Sequence, residues 1–138
     1  MDFRWFALVL VTLLVWGIWG VAARLASSAL GWRDTMAVAA IGYMVIAVTF
    51  IFASRAQVLP QGPVWLLALA VGSLGFIGTL TFYMALNLNP SSIVVVATSL
   101  YPIVTLALSF LLLGETITPR QAVGVALALA ALVLISGE

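Results

Sequence analysis

From Trp5 to Ala23 the chain runs about 19 residues without a charge, and comparable apolar runs recur along its length. Runs of about 18 or more such residues are the signature of membrane-spanning helices. Hydrophobic residues make up 65% of the chain and charged ones 7%. A soluble domain carries roughly 25% charged residues, so these charges cannot cover a water-facing surface. Inside a bilayer the backbone must satisfy its own polar groups, which leaves helices as the natural solution. The expectation is therefore an all-α, polytopic integral membrane protein in a lipid bilayer.

Five spans are expected, at about 5–26, 34–53, 63–86, 91–113 and 119–136, in a single transmembrane domain covering 1–138. The first run is longer than the roughly 7–15 residues of a signal-peptide core, so it reads as a retained helix. The connections carry turn residues: SSALGWRD, SRAQVLPQGP with its two prolines, and NLNP with Asn87 and Asn89. Between Leu111 and Gly124 lies LLLGETITPRQAVG. There Gly114 reads as a helix stop, Thr118 as a cap, Pro119 as a first helical residue and Gln121 as the partner in a capping box. Glu115 and Arg120 are then surface punctuation. Burying such a charge at mid-bilayer would cost a few kcal/mol.

All five cations are arginines: Arg4, Arg55 and Arg120 on the side of the N-terminus, Arg24 and Arg33 on the other. Three against two is a weak positive-inside bias. Dual insertion and a fixed orientation both remain open on that count. Trp5, Trp32 and Trp65 fall near helix ends, where indole anchors at the headgroup level. Arg24 ends the first helix and is placed to snorkel to the headgroups.

Enzymatic chemistry has little to work with. Cysteine and histidine are absent, lysine is absent too, and no metal-ligating cluster or cofactor-binding motif appears. No cofactor is expected, and a net charge of +1 gives no reason to expect a nucleic-acid partner.

Transport needs a polar-lined path instead. Thr98, Pro102, Thr105 and Ser109 share one face of the fourth span, and Tyr101 borders it. Pro102 has no N–H for the carbonyl of Thr98, which predicts a kink and a carbonyl needing another donor. Packing is the competing reading, because Ser, Thr and Pro are common in membrane helices. In the first span Thr12, Trp16, Trp19 and Ala23 share a face, and Trp16 lies roughly 16 Å along the helix from Trp5. Indoles at that depth either wall a cavity or fill gaps. Gly72, Gly75, Thr79 and Tyr83 share a side of the third span, read as a packing face with Tyr83 reaching toward the path. Ala122, Gly124, Ala126, Ala128 and Ala130 form a small-residue surface on the last span, the first candidate for a helix-packing or dimer contact.

The order of these features resembles a known family. The stretch ALNLNPSSIVVVATSLYPIVTLALSFLLLGETITPRQAVGVALALAALVLIS, together with the Trp16-Gly17 and Trp19-Gly20 pairs, is similar to an EamA domain of the drug/metabolite transporter superfamily. The resemblance covers nearly the whole chain. It implies one five-helix half of a fold in which two halves form an inverted repeat about a midplane substrate path. With a single half, it implies an antiparallel homodimer, or a pairing with a different half-length chain. It also implies export of a metabolite by alternating access in a bacterial or archaeal inner membrane, and with no buried charge the site is expected to favour a small neutral, zwitterionic or aromatic solute. The path residues would be Trp16, Trp19, Tyr83, Thr98, Tyr101 and Thr105, with Pro102 as hinge. Four-helix relatives in that superfamily use a glutamate in the first helix for proton exchange, and this sequence has no acid there. A non-transporting membrane partner subunit is the alternative function.

Overall fold

A computed structural model describes residues 3–56 and 62–136. Asp2, Glu138 and residues 57–61, which include Pro60 of the expected second connection, lie outside them. The described residues are all-helical apart from turns. Six helices follow in order: α1 Phe3–Leu30, α2 Trp32–Ser54, α3 Pro63–Leu88, α4 Ser92–Thr98, α5 Tyr101–Leu113 and α6 Pro119–Ser136. Among the described residues, Arg4–Leu30, Trp32–Ser54, Pro63–Leu88 and the combined Ser92–Leu113 are long and apolar enough to cross a membrane. The last helix, α6, has 18 residues, about 27 Å of rise. Apolar side chains such as Leu14 and Leu74 stand exposed along these helices, as lipid-facing residues do. Several threonine hydroxyls on the helices are met within their own turn. Thr12 donates to the Leu8 carbonyl at 2.9 Å, Thr49 to Val45 at 2.8 Å and Thr79 to Gly75 at 2.9 Å.

Two expected boundaries are corrected. The stretch SSALGWRD is not a loop: α1 continues to Leu30 and a single residue, Gly31, separates it from α2. Gly31 has φ 79° and ψ 163°, a region open essentially to glycine alone. Its N–H closes α1 on the Ser27 carbonyl at 3.0 Å, and its carbonyl accepts from the Thr35 N–H at 3.2 Å. One glycine therefore both stops a helix and starts the next. The fourth expected span is likewise not continuous, because α4 ends at Thr98 and α5 begins at Tyr101.

The chain divides into two compact units, residues 1–90 and 91–138. In the first, α1, α2 and α3 pack on one another. Its buried residues gather at one end: Ala23 and Ser27 of α1, Thr35 and Met36 of α2, Phe82, Tyr83 and Leu86 of α3. The small side chains Gly20, Ala23 and Ser27 recur at helical spacing and let the other helices approach α1 closely. Toward the other end the side chains stand open, Phe52 at 79% exposure and Leu67 at 67%. The glycine side of α3 does not pack within this unit: a Cβ at Gly72, Gly75 or Gly78 would meet nothing within 4 Å.

In the second unit α4 lies against α6. Among the residues of this unit whose burial is described, none is buried. Its turn has the expected form. Gly114 is left-handed, with φ 67°, and ends α5. Its N–H and that of Glu115 both turn back to the Ser109 carbonyl. At the start of α6 the Gln121 N–H donates to the Thr118 hydroxyl at 3.3 Å, and the Thr118 N–H donates to Gln121 Oε1 at 2.8 Å. That reciprocal pair is the capping box. Glu115 and Arg120 are both exposed there.

Candidate functional site

Two places bring candidate residues together, one in each unit. The first is the packed end of the three-helix unit. Trp19 of α1 stacks on Phe82 of α3 with ring centroids 5.0 Å apart and planes at 28°. Tyr83 meets Trp19 edge-on at 6.4 Å and Phe82 at 5.7 Å. Offset stacking and edge-to-face contacts are the favourable aromatic geometries, each contributing roughly 0.5–1.5 kcal/mol beyond packing. The three rings thus hold one another.

Beside them opens a concave, open-sided pocket of about 250 Å³, lined in part by Trp19, Ala23, Ala26, Thr35, Val38 and Tyr83. It is somewhat smaller than the roughly 300–1,000 Å³ of a drug-sized site. No charged side chain lines it. The Thr35 hydroxyl is already committed to the Gly31 carbonyl at 2.8 Å. The pocket therefore offers an indole, a phenol ring and alanine methyls, which suit an apolar or aromatic group. Near it in sequence, the buried Ser27 Oγ has no hydrogen-bond partner. An unmet buried hydroxyl costs about 1–3 kcal/mol, and it stands out because Ser28, one residue on, donates to the Leu25 carbonyl at 2.9 Å.

The second place is the break between α4 and α5. The Ser99 N–H still reaches the Val95 carbonyl at 3.1 Å, in helical register. The Leu100 N–H does not go to Val96 but to Ala97, at 3.3 Å. Ile103 likewise bonds three residues back, to Leu100, at 3.0 Å. The ladder thus tightens to 3₁₀-type bonds across the joint. Hydroxyls take up the slack upstream. Thr98 donates to Val94 at 2.8 Å and Val95 at 3.1 Å, and Ser99 donates to Val96 at 2.7 Å. Such back-bonding bends helices, and Pro102, in the first turn of α5, favours a restart there.

The candidate path residues are thus distributed as follows. Trp19 and Tyr83 are together at the pocket. Trp16, one turn before Trp19, is 56% exposed. In the second unit Thr98, Tyr101, Pro102 and Thr105 are all exposed around or just after the break, with the Thr105 hydroxyl 3.5 Å from the Tyr101 carbonyl. Of the small residues on α6, Ala128 is half-buried while Ala122, Gly124, Ala126 and Ala130 are exposed. Phe82 was not singled out by sequence reasoning, since a phenylalanine in an apolar helix looks the same whether it faces lipid or a tryptophan. Its place beside Tyr83 was the available hint. At the far end of α1, Arg24 is exposed, and at the start of α2 the Arg33 guanidinium sits 5.3 Å from the Trp32 ring, a cation–π contact. Among the described residues no group of His, Cys, Asp or Glu could hold a metal ion.

The chain is 43% identical over 60 residues to an uncharacterized protein of Methanocaldococcus jannaschii, a match covering 44% of each chain. It therefore spans less than half the length of that relative. No solved structure matches. The sequence matches the EamA-like transporter family over residues 3–137, and with nearly its whole length covered the chain belongs to that family.

Proposed function

We propose that this protein is a subunit of a drug/metabolite-type transporter that moves a small neutral, zwitterionic or aromatic solute across its membrane. The observation that carries the reading is the uncharged aromatic pocket beside Trp19 and Tyr83. An indole and a phenol ring bind flat or apolar groups without fixing a charge. Trp16, Thr98, Tyr101 and Thr105 complete the proposed path, and Pro102 with the break before it provides the element that bends. Alternating access then follows from two five-helix units rocking about a central site. In this reading the partner is a second copy of the unit, antiparallel to the first. The exposed small residues Ala122, Gly124, Ala126 and Ala130, with Ala128, are the surface proposed for helix packing at that contact. The near-even division of arginines is compatible with dual insertion. Export from a bacterial or archaeal cell is the direction the family suggests.

The test is reconstitution of the purified chain alone, with uptake screened across neutral, zwitterionic and aromatic solutes. Tyr101→Ala and Trp16→Ala are measured beside it. The reading expects both variants to lose most of the flux, and normal flux in both would overturn the path. A second function, as a non-transporting partner of another membrane protein, is favoured by the absence of any buried described residue in the second unit. It predicts a stoichiometric foreign subunit on purification and no flux from the chain alone.

A further inference from the structure

The break between α4 and α5 leaves two backbone carbonyls without their helical donors. In a continuous helix the Thr98 carbonyl would accept from residue 102, but Pro102 has no N–H. The Ser99 carbonyl would accept from Ile103, whose N–H goes to Leu100 instead. Neither carbonyl therefore receives the i+4 bond of a regular helix, and the side-chain hydroxyls of the joint donate to other carbonyls. The two hydroxyls on the spot are already used: Thr98 donates to Val94 and Val95, and Ser99 to Val96.

The position makes this consequential. The span Ser92–Leu113 has 22 residues, and the break lies about 11 Å along it from the Ser92 end at 1.5 Å per residue. A hydrocarbon core is about 30 Å thick. Both carbonyls thus fall inside that layer, where each unmet polar group costs several kcal/mol. Unwound backbone at membrane depth persists only where it is buried in protein or lines a water-filled cavity. Both residues are exposed. The two oxygens are acceptors only, so what satisfies them must bring donors.

We propose that the Thr98 and Ser99 carbonyls form a binding point for N–H groups, selecting solutes that carry an ammonium or amide and rejecting those that carry only acceptors. This rests on the transport reading for its role, and it narrows the substrate class: an aromatic or apolar body with an N–H donor at one end. A carboxylate would face two carbonyl oxygens with nothing to offer them. Two carbonyls are also too few to strip an alkali cation of its water.

The experiment does not depend on transport. Thr98-Ser99 is the only Thr-Ser pair in the sequence. Labelling threonine with carbonyl ¹³C and serine with ¹⁵N therefore isolates the Thr98 carbonyl in a solid-state NMR spectrum of the full chain in lipid bilayers. Phenethylamine and 3-phenylpropionate are titrated as matched probes, with sodium chloride as a third arm. The expected result is a downfield shift of the Thr98 carbonyl with the amine, at concentrations about tenfold below any response to the acid, in line with a hydrogen bond from a charged donor. Pro102→Ala restores an N–H to that carbonyl and should abolish the response while keeping the helix. An equal response to the acid, a response to sodium chloride alone, no response to the amine, or an undiminished response in Pro102→Ala would each overturn the proposal. Flux without this selectivity would leave the transport reading standing and remove the inference.

Discussion

The two units solve the membrane problem in different ways. Residues 1–90 gather a small core at one end, with three aromatic rings in mutual contact and Leu86 almost wholly covered. Residues 91–138 bury nothing among their described side chains and interrupt their first span within the hydrocarbon layer. In lipid, apolar burial between helices contributes little, because acyl chains are as apolar as leucine. Stability must come from close packing, and only the first unit shows it. Under the proposed function the difference suggests roles: the packed end as a frame, and the broken span as the part whose shape changes. Local opening free energy follows packing density, so the same substitution should have different effects in the two places.

The largest expected effect is at the joint that builds the frame. Gly31→Val forces a β-branched residue into a conformation open essentially to glycine, at φ 79°. It should destabilise the protein by about 3 kcal/mol, at the upper end of backbone strain costs, read by denaturant unfolding in micelles. Next comes the aromatic stack. Phe82→Ala removes the ring against Trp19 and should cost about 2 kcal/mol through lost packing and stacking. Trp19 emission should shift at the same time. The matched truncation Phe110→Ala in α5, where the ring is 51% exposed, should stay within about 0.5 kcal/mol. Equal costs at Phe82 and Phe110 would erase the contrast. Thr118→Ala should cost about 1 kcal/mol, the usual value of a helix cap. The loss should appear as faster amide exchange at the start of α6 and leave the three-helix unit unchanged. The smallest stability effect should be that of Tyr101→Ala, within about 0.5 kcal/mol, even though its flux falls. A variant that keeps its fold and loses its function is what a moving, uncovered element predicts.

Much of the architecture could be read before the structure, because membrane helices advertise themselves by missing charge. The spans, the Gly114 stop and the Thr118–Gln121 capping box depend on local chemistry, and local chemistry is written in order along the chain. The end of α1 was harder. Ser27, Ser28 and Gly31 suggested a loop, yet serine is at home in a membrane helix when its hydroxyl back-bonds, as that of Ser28 does. Pro102 pointed to a kink, but the kink's position depends on where Leu100 and Ile103 send their N–H groups, and on Ser99 supplying a hydroxyl to Val96. Periodicity placed Trp16 and Trp19 on one face. It could not show that the second stacks on Phe82 while the first stands exposed, because only the tertiary approach of α3 separates them. For the same reason the glycine side of α3, legible as a small-residue face, has no neighbour within its unit.

The central claim is that this chain carries solute through a path bordered by the Trp19–Tyr83 pocket. It is tested most directly by saturable uptake of an aromatic amine into proteoliposomes holding the chain alone, comparing wild type, Trp19→Ala and the surface control Trp5→Ala. The account predicts saturable uptake that falls about tenfold in Trp19→Ala, as for a lost aromatic anchor of roughly 1.4 kcal/mol, and is unchanged in Trp5→Ala. Uptake that never saturates, or that is the same in Trp19→Ala as in wild type, would contradict it.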